Sequence, residues 1–333
     1  MFGIWCSSVT DKLEERKTGL REYVCECLKL DNPELVSLNG DASFRRYFKI
    51  PSTPFIAVDS PPDTQKNKEF VSIDKALYAS GVRVPSIHFM DLEKGYFIIE
   101  DLGNVTFADV SVKNTKQWYK KAIDVLSDIL PVKRDDEVQF DEQFIRFELS
   151  LFETWMLNKG LNVTLDALEK SVLEEAYNEL VKVCLSQQQC SMHRDYHSRN
   201  LMVRDNELYV IDFQDMVRGP ITYDLASLLY DCYVDLAPGL IDSLSAYAYN
   251  LFTDKGIIKN VPYEVFVQNM RLTSLQRHIK VLGIFVRLSV RDGKDGYLKD
   301  LPRVINYVLK ECDISPKFSK LKALIQKYVV GKY

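Results

Sequence analysis

The sequence lacks an uninterrupted apolar run of the length that crosses a membrane, so we expect no membrane-spanning segment and no membrane partner. It also lacks a convincing secretory signal, because the apolar stretch at residues 1–6 is short and charged residues follow soon after it. Positive charge is not in excess either. The net charge is −4, which argues against broad nucleic-acid binding, since that function favours a basic surface.

Cysteine pairs with the spacing of metal ligands are absent as well. The chain has seven cysteines, an odd number, and Cys25 and Cys27 are too close together for a C-x-x-C site. We therefore expect free thiols in a reducing compartment and a cytoplasmic location. Nothing in the sequence indicates an obligate protein partner. The cysteines are Cys6, Cys25, Cys27, Cys184, Cys190, Cys232 and Cys312.

The 333 residues are 46% hydrophobic and 27% charged, which is typical of a globular protein with two domains or two lobes. After a helix over 11–30, hydrophobic periodicity predicts three strands, a helix and two more strands. From residue 115 onward the periodicity is chiefly helical. We predict an α+β fold with a small antiparallel-sheet lobe over 1–103 and a larger helical lobe over 104–333. The strands are placed at 35–38, 44–50, 55–58, 86–91 and 96–100, with the helix at 67–80. The later helices are placed at 115–130, 141–158, 166–187, 221–233, 239–253, 262–290, 302–311 and 316–329.

The most informative segment of the chain reads His-Arg-Asp-Tyr-His-Ser-Arg-Asn and spans residues 193–200. Two apolar runs follow, separated by a polar turn that predicts a hairpin, and the second run ends at Asp212. Asp195 could accept or orient the proton of an acceptor hydroxyl, while Asn200 and Asp212 could hold magnesium against a triphosphate. The alternative is a polar turn whose carboxylates cap amides or pair with Arg194 and Arg199.

Two further segments are candidates for contact with a nucleotide. The loop between the first two strands could cover phosphates, and a plain hairpin is at least as probable an interpretation. Its candidate residues are Gly40 for close backbone approach, Ser43 for a hydrogen bond, and Arg45 and Arg46 for positive charge. The stretch that begins with Glu100 and Leu102 follows the last strand and is a candidate hinge between lobes, whose backbone could bind adenine.

Basic residues recur along the helix predicted at 262–290, and for most of them we expect a solvated face. They are Arg271, Arg277, His278, Lys280, Arg287 and Arg291. The segment 276–278 is the exception, as a possible acceptor-binding or bracing group. The residues proposed to meet the acceptor are Glu148, Asp231, Arg277 and His278. Each of these four has a structural interpretation that is at least equally good.

Several of these segments resemble the aminoglycoside phosphotransferase/choline kinase branch of the protein-kinase-like fold. Within that branch they are most similar to the bacterial kinases that act on the anomeric hydroxyl of N-acetylmuramate and N-acetylglucosamine in cell-wall recycling. The resemblance covers nearly the whole chain. It rests on Gly40–Phe48, Val58–Pro62, Glu148–Glu153, His193–Asn200, Ile211–Asp215, Gly219–Leu225 and Gln276–Gly283.

The resemblance implies ATP and Mg²⁺ as cofactors, a small amino-sugar acceptor, and a sugar 1-phosphate product. It implies Asp195 as the catalytic base and Asn200 and Asp212 as magnesium ligands. Asp224 would brace the catalytic loop. Asp215 would be a further metal or sugar contact, or else part of a local salt bridge. An aminoglycoside or small-alcohol kinase, or a pseudokinase that binds nucleotide without turnover, are the alternatives.

The chain departs from the wider kinase pattern at two places. The third strand ends Ala57-Val-Asp59 where a phosphate-binding lysine is expected, and Arg45, Arg46 or Lys49 are candidates to replace it. Gln214 stands where protein kinases have the glycine of Asp-Phe-Gly. Because glutamine restricts the backbone, we do not expect a pivoting activation segment.

Overall fold

The computed structural model describes residues 3–38 and 45–333, with side chains from Leu13 onward. Its first part is an antiparallel five-stranded sheet in the order β1-β2-β3-β5-β4. The predicted order of strands and helix along the chain is confirmed. The elements are α1 (Gly3–Leu28), β1 (Val36–Leu38), β2 (Arg46–Lys49), β3 (Phe55–Asp59), α2 (Asn67–Ala79), β4 (Ile87–Asp91) and β5 (Tyr96–Glu100).

The sheet is covered by apolar side chains on both faces, because alternate residues of each strand point to opposite sides. On one face, Phe48 and Ala57 pack with Leu20 and Val24 of α1. On the other face, strand residues pack with α2 and join the core of the second lobe. That second set includes Val58, Phe97, Ile99, Phe70, Ile73 and Leu77.

The second lobe is chiefly helical, as predicted. Its helices are α3 (Phe107–Ser111), α4 (Thr115–Ile129), α5 (Glu142–Leu151), α6 (Ala167–Ser186), α7 (Tyr223–Leu229), α8 (Pro238–Asp254), α9 (Tyr263–Asp292), α10 (Leu301–Cys312) and α11 (Ser319–Tyr328). A π-helix spans Phe152–Gly160, and 3₁₀ helices span Asp295–Asp300 and Pro316–Phe318. Four short strands form two pairs, β6–β9 and β7–β8. They are β6 (Gln189–Met192), β7 (Leu201–Arg204), β8 (Glu207–Val210) and β9 (Val217–Pro220).

Several boundaries differ from those predicted. Where one helix was expected over 141–158, the structure has α5 followed directly by the π-helix. Helix α7 is shorter than the helix expected over 221–233. The apolar runs near Asp212 form the β7–β8 hairpin, as predicted. The last strand of the sheet ends at Glu100 and α3 begins at Phe107. The exact boundary between the two lobes at residue 103 stays a prediction.

Helix α9 lies at the centre of the second lobe and is buried on all sides along much of its length. Gly283 allows it to approach the junction of α5 with the π-helix, because a Cβ at this position would lie 2.3 Å from the carbonyl oxygen of Leu151. The expected solvated face is present at Arg291, which is exposed. It is wrong for Lys280, which is 4% exposed, while Arg277, part of the segment excepted from that expectation, is 2% exposed.

None of the described helices is both long enough and apolar enough to span a membrane.

Candidate active site

The loop between β6 and β7 carries Asp195 and is held from two sides. His193 bonds to the carbonyl oxygen of Ile211 through Nε2, at 3.0 Å, and its Nδ1 accepts the backbone N–H of Asp195 at 3.3 Å. Asp224 accepts the backbone N–H groups of His193 and Arg194, at 2.6 and 2.9 Å. His193 therefore supports the loop rather than reacting, and Asp224 has the bracing position that the resemblance implies.

The backbone conformation explains why this loop needs such support. Arg194 has φ 77°, in the left-handed region that side chains other than glycine adopt at a cost. The buried carboxylate of Asp224 compensates by bonding the two backbone amides that directly precede the strained Cα of Arg194. Burial raises the pKa of Asp224 to about 6, against the lowering effect of His193 and the two amides.

The carboxylate of Asp195 lies in a positively charged environment. Burial by itself raises the pKa of Asp195, but the nearby charges of Lys280, His197, Arg194 and Arg277 outweigh burial and hold that pKa well below its ordinary range. Asp195 is therefore ionised at neutral pH and is able to accept a hydrogen bond from a hydroxyl.

Asn200 and Asp212 lie next to each other and next to Asp195. The side-chain nitrogen of Asn200 donates to the carbonyl oxygen of Asp195 at 3.0 Å and is 3.5 Å from Oδ2 of Asp212. Gln214 donates to Oδ1 of Asp212 at 2.8 Å. Because these donors are uncharged amides, the negative charge of Asp212 is left for a cation, and the side-chain oxygen of Asn200 is turned away from both bonds. The structure thus brings the three predicted residues together.

The alternative interpretation of this segment placed Arg194 and Arg199 against its carboxylates. Instead, Arg194 donates to Oε1 of Glu148 at 2.6 Å, and Arg199 lies 3.9 Å from Asp300. Among the described residues, neither arginine forms an ion pair with Asp195 or Asp212.

The four acceptor candidates occupy different places. Glu148 is buried and receives hydrogen bonds from Arg194 at 2.6 Å, Gln276 at 3.3 Å and Lys280 at 3.5 Å. Asp231 is buried and accepts the backbone N–H groups of Ser198 and Tyr233, at 2.9 and 2.8 Å. These contacts are those of bracing residues beneath the catalytic loop.

Arg277 is buried and bonds to the sulfur of Cys232 through Nη1 at 3.4 Å, and its charge acts on Asp195. His278, the next residue, points elsewhere. Its Nδ1 donates to Glu311 at 3.0 Å, its Nε2 donates to the carbonyl oxygen of Tyr230 at 3.0 Å, and its ring stacks on Tyr307. Arg277 therefore lies near the site, whereas His278 forms a buried ion pair with Glu311.

On the sheet side, Gly40 and Ser43 lie outside the described residues. Arg45 is buried between the lobes, where Nε donates to the hydroxyl of Ser60 at 3.0 Å and Nη1 donates to the side-chain oxygen of Gln214 at 3.2 Å. Its guanidinium lies over the ring of Phe70, 4.5 Å from the centroid. Arg45 and Gln214 thus form a hydrogen-bonded connection that leads to Asp212.

Arg46, the first residue of β2, points to the opposite face of the sheet from Arg45, because adjacent side chains of extended chain alternate between faces. Asp59, which stands where a lysine was expected, is fully buried and forms ion pairs with Arg46 at 2.6 Å and with Arg16 of α1 at 2.5 Å. Lys49 forms an ion pair with Asp101 at 3.1 Å. The structure does not bring Arg46 to the catalytic residues.

The candidate hinge follows β5. Glu100 pairs with Arg204 of β7 through a short ion pair, and the same arginine donates to the carbonyl oxygen of Asp101 at 3.3 Å. Burial raises the pKa of Glu100, but hydrogen bonds from Arg204 and Ser86 outweigh it and lower that pKa. The side chain of Leu102 is buried, and within the described ranges its backbone takes part in no backbone hydrogen bond. Leu102 thus differs from Glu100 and Asp101, whose backbone amides bond to Ser86 and Pro54.

Three functional contacts were not foreseen from the sequence. Lys280 was assigned to a solvated face, although it is buried and bonds to the hydroxyl of Tyr223 at 2.7 Å. Its spacing of three residues from Arg277 was the available signal, since it places both on one side of a helix. The bonds of Gln214 and Arg204 join segments more than 100 residues apart, and no local pattern predicts them.

Asp215 forms an ion pair with Lys66 at 3.0 Å, as in the salt-bridge interpretation of this residue.

Comparisons with known proteins agree with this geometry. The model of the phosphotransferase enzyme family matches residues 34–254. The N-acetylmuramate/N-acetylglucosamine kinase of Pseudomonas putida is 34% identical over 301 residues, which cover 89% of each protein.

Solved structures show the same fold at lower identity. The ADP-bound aminoglycoside phosphotransferase APH(2'')-Ib has a TM-score of 0.60 at 15% identity and covers 87% of this chain and 97% of its own. The choline kinase LicA of Streptococcus pneumoniae has a TM-score of 0.61 at 14% identity and covers 89% of this chain and 99% of its own. The predicted two-lobed kinase-like fold is confirmed. The chain belongs to the phosphotransferase enzyme family and has the fold of its small-molecule kinases.

Proposed function

We propose that the chain transfers the γ-phosphate of ATP to the anomeric hydroxyl of N-acetylmuramate and N-acetylglucosamine, giving the sugar 1-phosphate. The observation that carries this proposal is the similarity to N-acetylmuramate/N-acetylglucosamine kinases over about nine-tenths of the chain. The grouping of Asp195, Asn200 and Asp212 at the mouth of the second lobe supports a transfer that depends on positioning and charge.

In this mechanism Asp195 is the group that touches the acceptor. Its low pKa means that it is ionised before substrate binds, so it orients the hydroxyl and receives the proton as the phosphoryl group transfers. The basic residues that lower this pKa also disfavour a cationic acceptor such as choline or an aminoglycoside. An anionic or neutral sugar suits this environment better.

Asn200 and Asp212 fit a magnesium ion because both offer oxygen atoms, which a hard cation prefers. The bound ion would neutralise charge on the phosphates. Asp212 has φ 62°, a strained backbone conformation, and the hydrogen bond from Gln214 orients its carboxylate. We further propose that the hinge at Glu100 and Leu102 meets adenine and that Arg45 supplies the cation for the phosphates that the third strand lacks.

Phosphorus NMR of the protein with ATP, magnesium and each candidate acceptor tests this function. We expect a sugar 1-phosphate signal with N-acetylmuramate and N-acetylglucosamine, and none with kanamycin or choline. Asp195→Asn keeps the shape of the side chain and removes its charge, so it should lower the rate at least about a hundredfold, the usual scale for a general base.

Three results would count against the proposal in different ways. Consumption of ATP only with kanamycin or choline would replace the sugar by a cationic acceptor. Nucleotide binding without any phosphorylated product would indicate a pseudokinase. Full activity of Asp195→Asn, with a melting temperature equal to that of the unmodified protein, would mean that another group serves as the base.

A further inference from the structure

A cluster of aromatic and charged side chains adjoins the loop that carries Asp195. The backbone N–H of His197 donates to the carbonyl oxygen of Asp195 at 3.0 Å, and its ring makes an edge-to-face contact with the ring of Tyr233, with centroids 5.2 Å apart. On Tyr233 the guanidinium of Arg199 lies 3.6 Å from the ring centroid, and Tyr297 is 5.9 Å from the same guanidinium. We call Arg199, Tyr233, Tyr297 and Asp300 the acceptor wall.

Arg199 is the accessible cation of the acceptor wall. Its side chain is 38% exposed, and its contact with the carboxylate of Asp300 is 3.9 Å, too long for a hydrogen bond. The other oxygen of Asp300 is engaged by Arg303 at 3.1 Å. Arg199 therefore keeps its orientation through stacking on Tyr233, while its charge is only loosely compensated. Such a group can accept a carboxylate from a ligand without first breaking a strong ion pair.

Polar atoms around the acceptor wall also point to a ligand rich in hydroxyl groups. Nδ1 of His197, the hydroxyl of Ser198 and Oδ2 of Asp300 are buried and have no hydrogen-bond partner within the part of the chain that the structure describes. The three residues are 8%, 0% and 8% exposed. Buried polar atoms in native proteins are nearly always paired, so unpaired ones in the residues around Arg199 and Tyr233 need a partner. A sugar offers both donors and acceptors.

We propose that the acceptor wall is the sugar subsite and that Arg199 determines specificity by binding the lactyl carboxylate of N-acetylmuramate. This inference rests on the proposed function. With the anomeric hydroxyl at Asp195, the sugar extends toward Arg199, whose guanidinium can bind the lactyl carboxylate through two parallel hydrogen bonds. N-acetylglucosamine lacks the lactyl group and binds without that interaction. The structure thus predicts a preference for the acidic sugar over the neutral one.

The test compares kcat/KM for N-acetylmuramate, its uncharged methyl ester and N-acetylglucosamine. In Arg199→Gln we expect the ratio of kcat/KM for N-acetylmuramate to that for N-acetylglucosamine to fall at least about tenfold, mainly through KM, as for the loss of a charge-assisted hydrogen bond. Arg199→Lys should retain part of the ratio because it keeps the charge. The methyl ester should behave like N-acetylglucosamine in every variant. Arg291→Gln, which removes an exposed arginine from the same lobe, should leave the ratio unchanged.

The outcomes separate this inference from the proposed function. If Arg199→Gln lowers kcat/KM equally for both sugars, Arg199 does not bind the lactyl carboxylate. The same follows if the unmodified protein uses only N-acetylglucosamine, and in both cases the sugar-kinase function stands. If Arg291→Gln changes the ratio as much as Arg199→Gln does, the selection comes from net charge and the assignment is overturned. If the unmodified protein phosphorylates neither sugar, both proposals fall together.

Discussion

At the residue scale, the pairing of Asp59 shows how an acidic side chain is accommodated where a phosphate-binding lysine was expected. Asp59 is buried at the end of β3, and a buried carboxylate is stable only when it is paired. Arg16 and Arg46 supply that pairing on the α1 face of the sheet. Arg45 projects to the opposite face and reaches Gln214, which bonds to Asp212. A positive charge between the lobes thus comes from Arg45, just before β2, while the charge of Asp59 on β3 is used to attach α1.

Replacing Arg45 tests this exchange of positions. We expect Arg45→Gln to weaken binding of ADP with magnesium by about tenfold while changing adenosine binding little, since the lost charge would act on phosphates alone. Isothermal titration calorimetry with both ligands measures the two affinities. Lys66→Ala is the matched control, because Lys66 also links the two lobes through Asp215 but is exposed. Equal losses for ADP and adenosine would show that Arg45 shapes the cleft and does not bind phosphate.

The sequence located Asp195, Asn200 and Asp212 because their spacing within one short segment is set by the loop and hairpin that carry them. It could not choose between Arg45 and Arg46. Adjacent strand residues face opposite sides of a sheet, so a shift of one residue in register exchanges their roles. That register depends on pairing of Arg46 with Asp59 in the neighbouring strand. Only the assembled sheet determines which arginine faces the cleft.

At the scale of elements, α9 determines how the second lobe is assembled. Its helical period was evident in the sequence, and the predicted bounds of 262–290 agree closely with Tyr263–Asp292. Its burial was not evident, because several basic residues suggested a solvated face. Arg277 and Lys280 are nevertheless buried, since Glu148 and the carboxylate of Asp195 lie opposite them. A charged residue in a helix is placed by its partners, and those partners lie on other elements.

Gly283 allows α9 to lie close to the backbone of Leu151, and Gly283→Ala tests whether α9 can shift to make room for a Cβ. The new Cβ would clash with the backbone of Leu151, which is not a flexible side chain. We expect a loss of about 1–3 kcal/mol in the free energy of unfolding, typical of overpacking, measured by urea denaturation. Gly239→Ala in α8 is the control, because a Cβ there has no heavy atom within 4 Å among those described. Equal stabilities of the two variants would mean that α9 adjusts without cost.

At the scale of the whole molecule, the two lobes are joined by contacts from distant parts of the chain. Phe70 of α2 stacks on Phe213 with centroids 5.1 Å apart, and Arg204 of β7 binds Glu100 at the hinge. The α+β class and the order of elements followed from periodicity, which is local information. The contacts between lobes did not follow, because they depend on how two separately predictable units meet.

Global stability should also depend on a buried ion pair between α9 and α10. Burial lowers the pKa of His278, but the carboxylate of Glu311 outweighs burial and raises that pKa to about 9. The unfolded chain has a histidine pKa near 6.5, so the folded state holds its proton more tightly. The resulting stabilisation is complete below about pH 6.5 and is lost as the pH rises through about 9. The neighbouring groups are Cys232, Ser274 and Tyr307.

We therefore expect the free energy of unfolding to fall by roughly 1–3 kcal/mol between pH 6.5 and pH 9.5, and Glu311→Gln to remove most of that slope. Urea denaturation at intervals of pH measures both curves. Because Glu311→Gln takes away the charge that holds the proton, the variant should be destabilised most at pH 6.5 and least at pH 9.5. Glu175→Gln, which removes an exposed partner of Lys320, is the control and should follow the unmodified protein. A Glu311→Gln curve that runs parallel to the unmodified one would assign the pH dependence to other buried groups, such as Cys184 or Cys312, whose pKa burial raises.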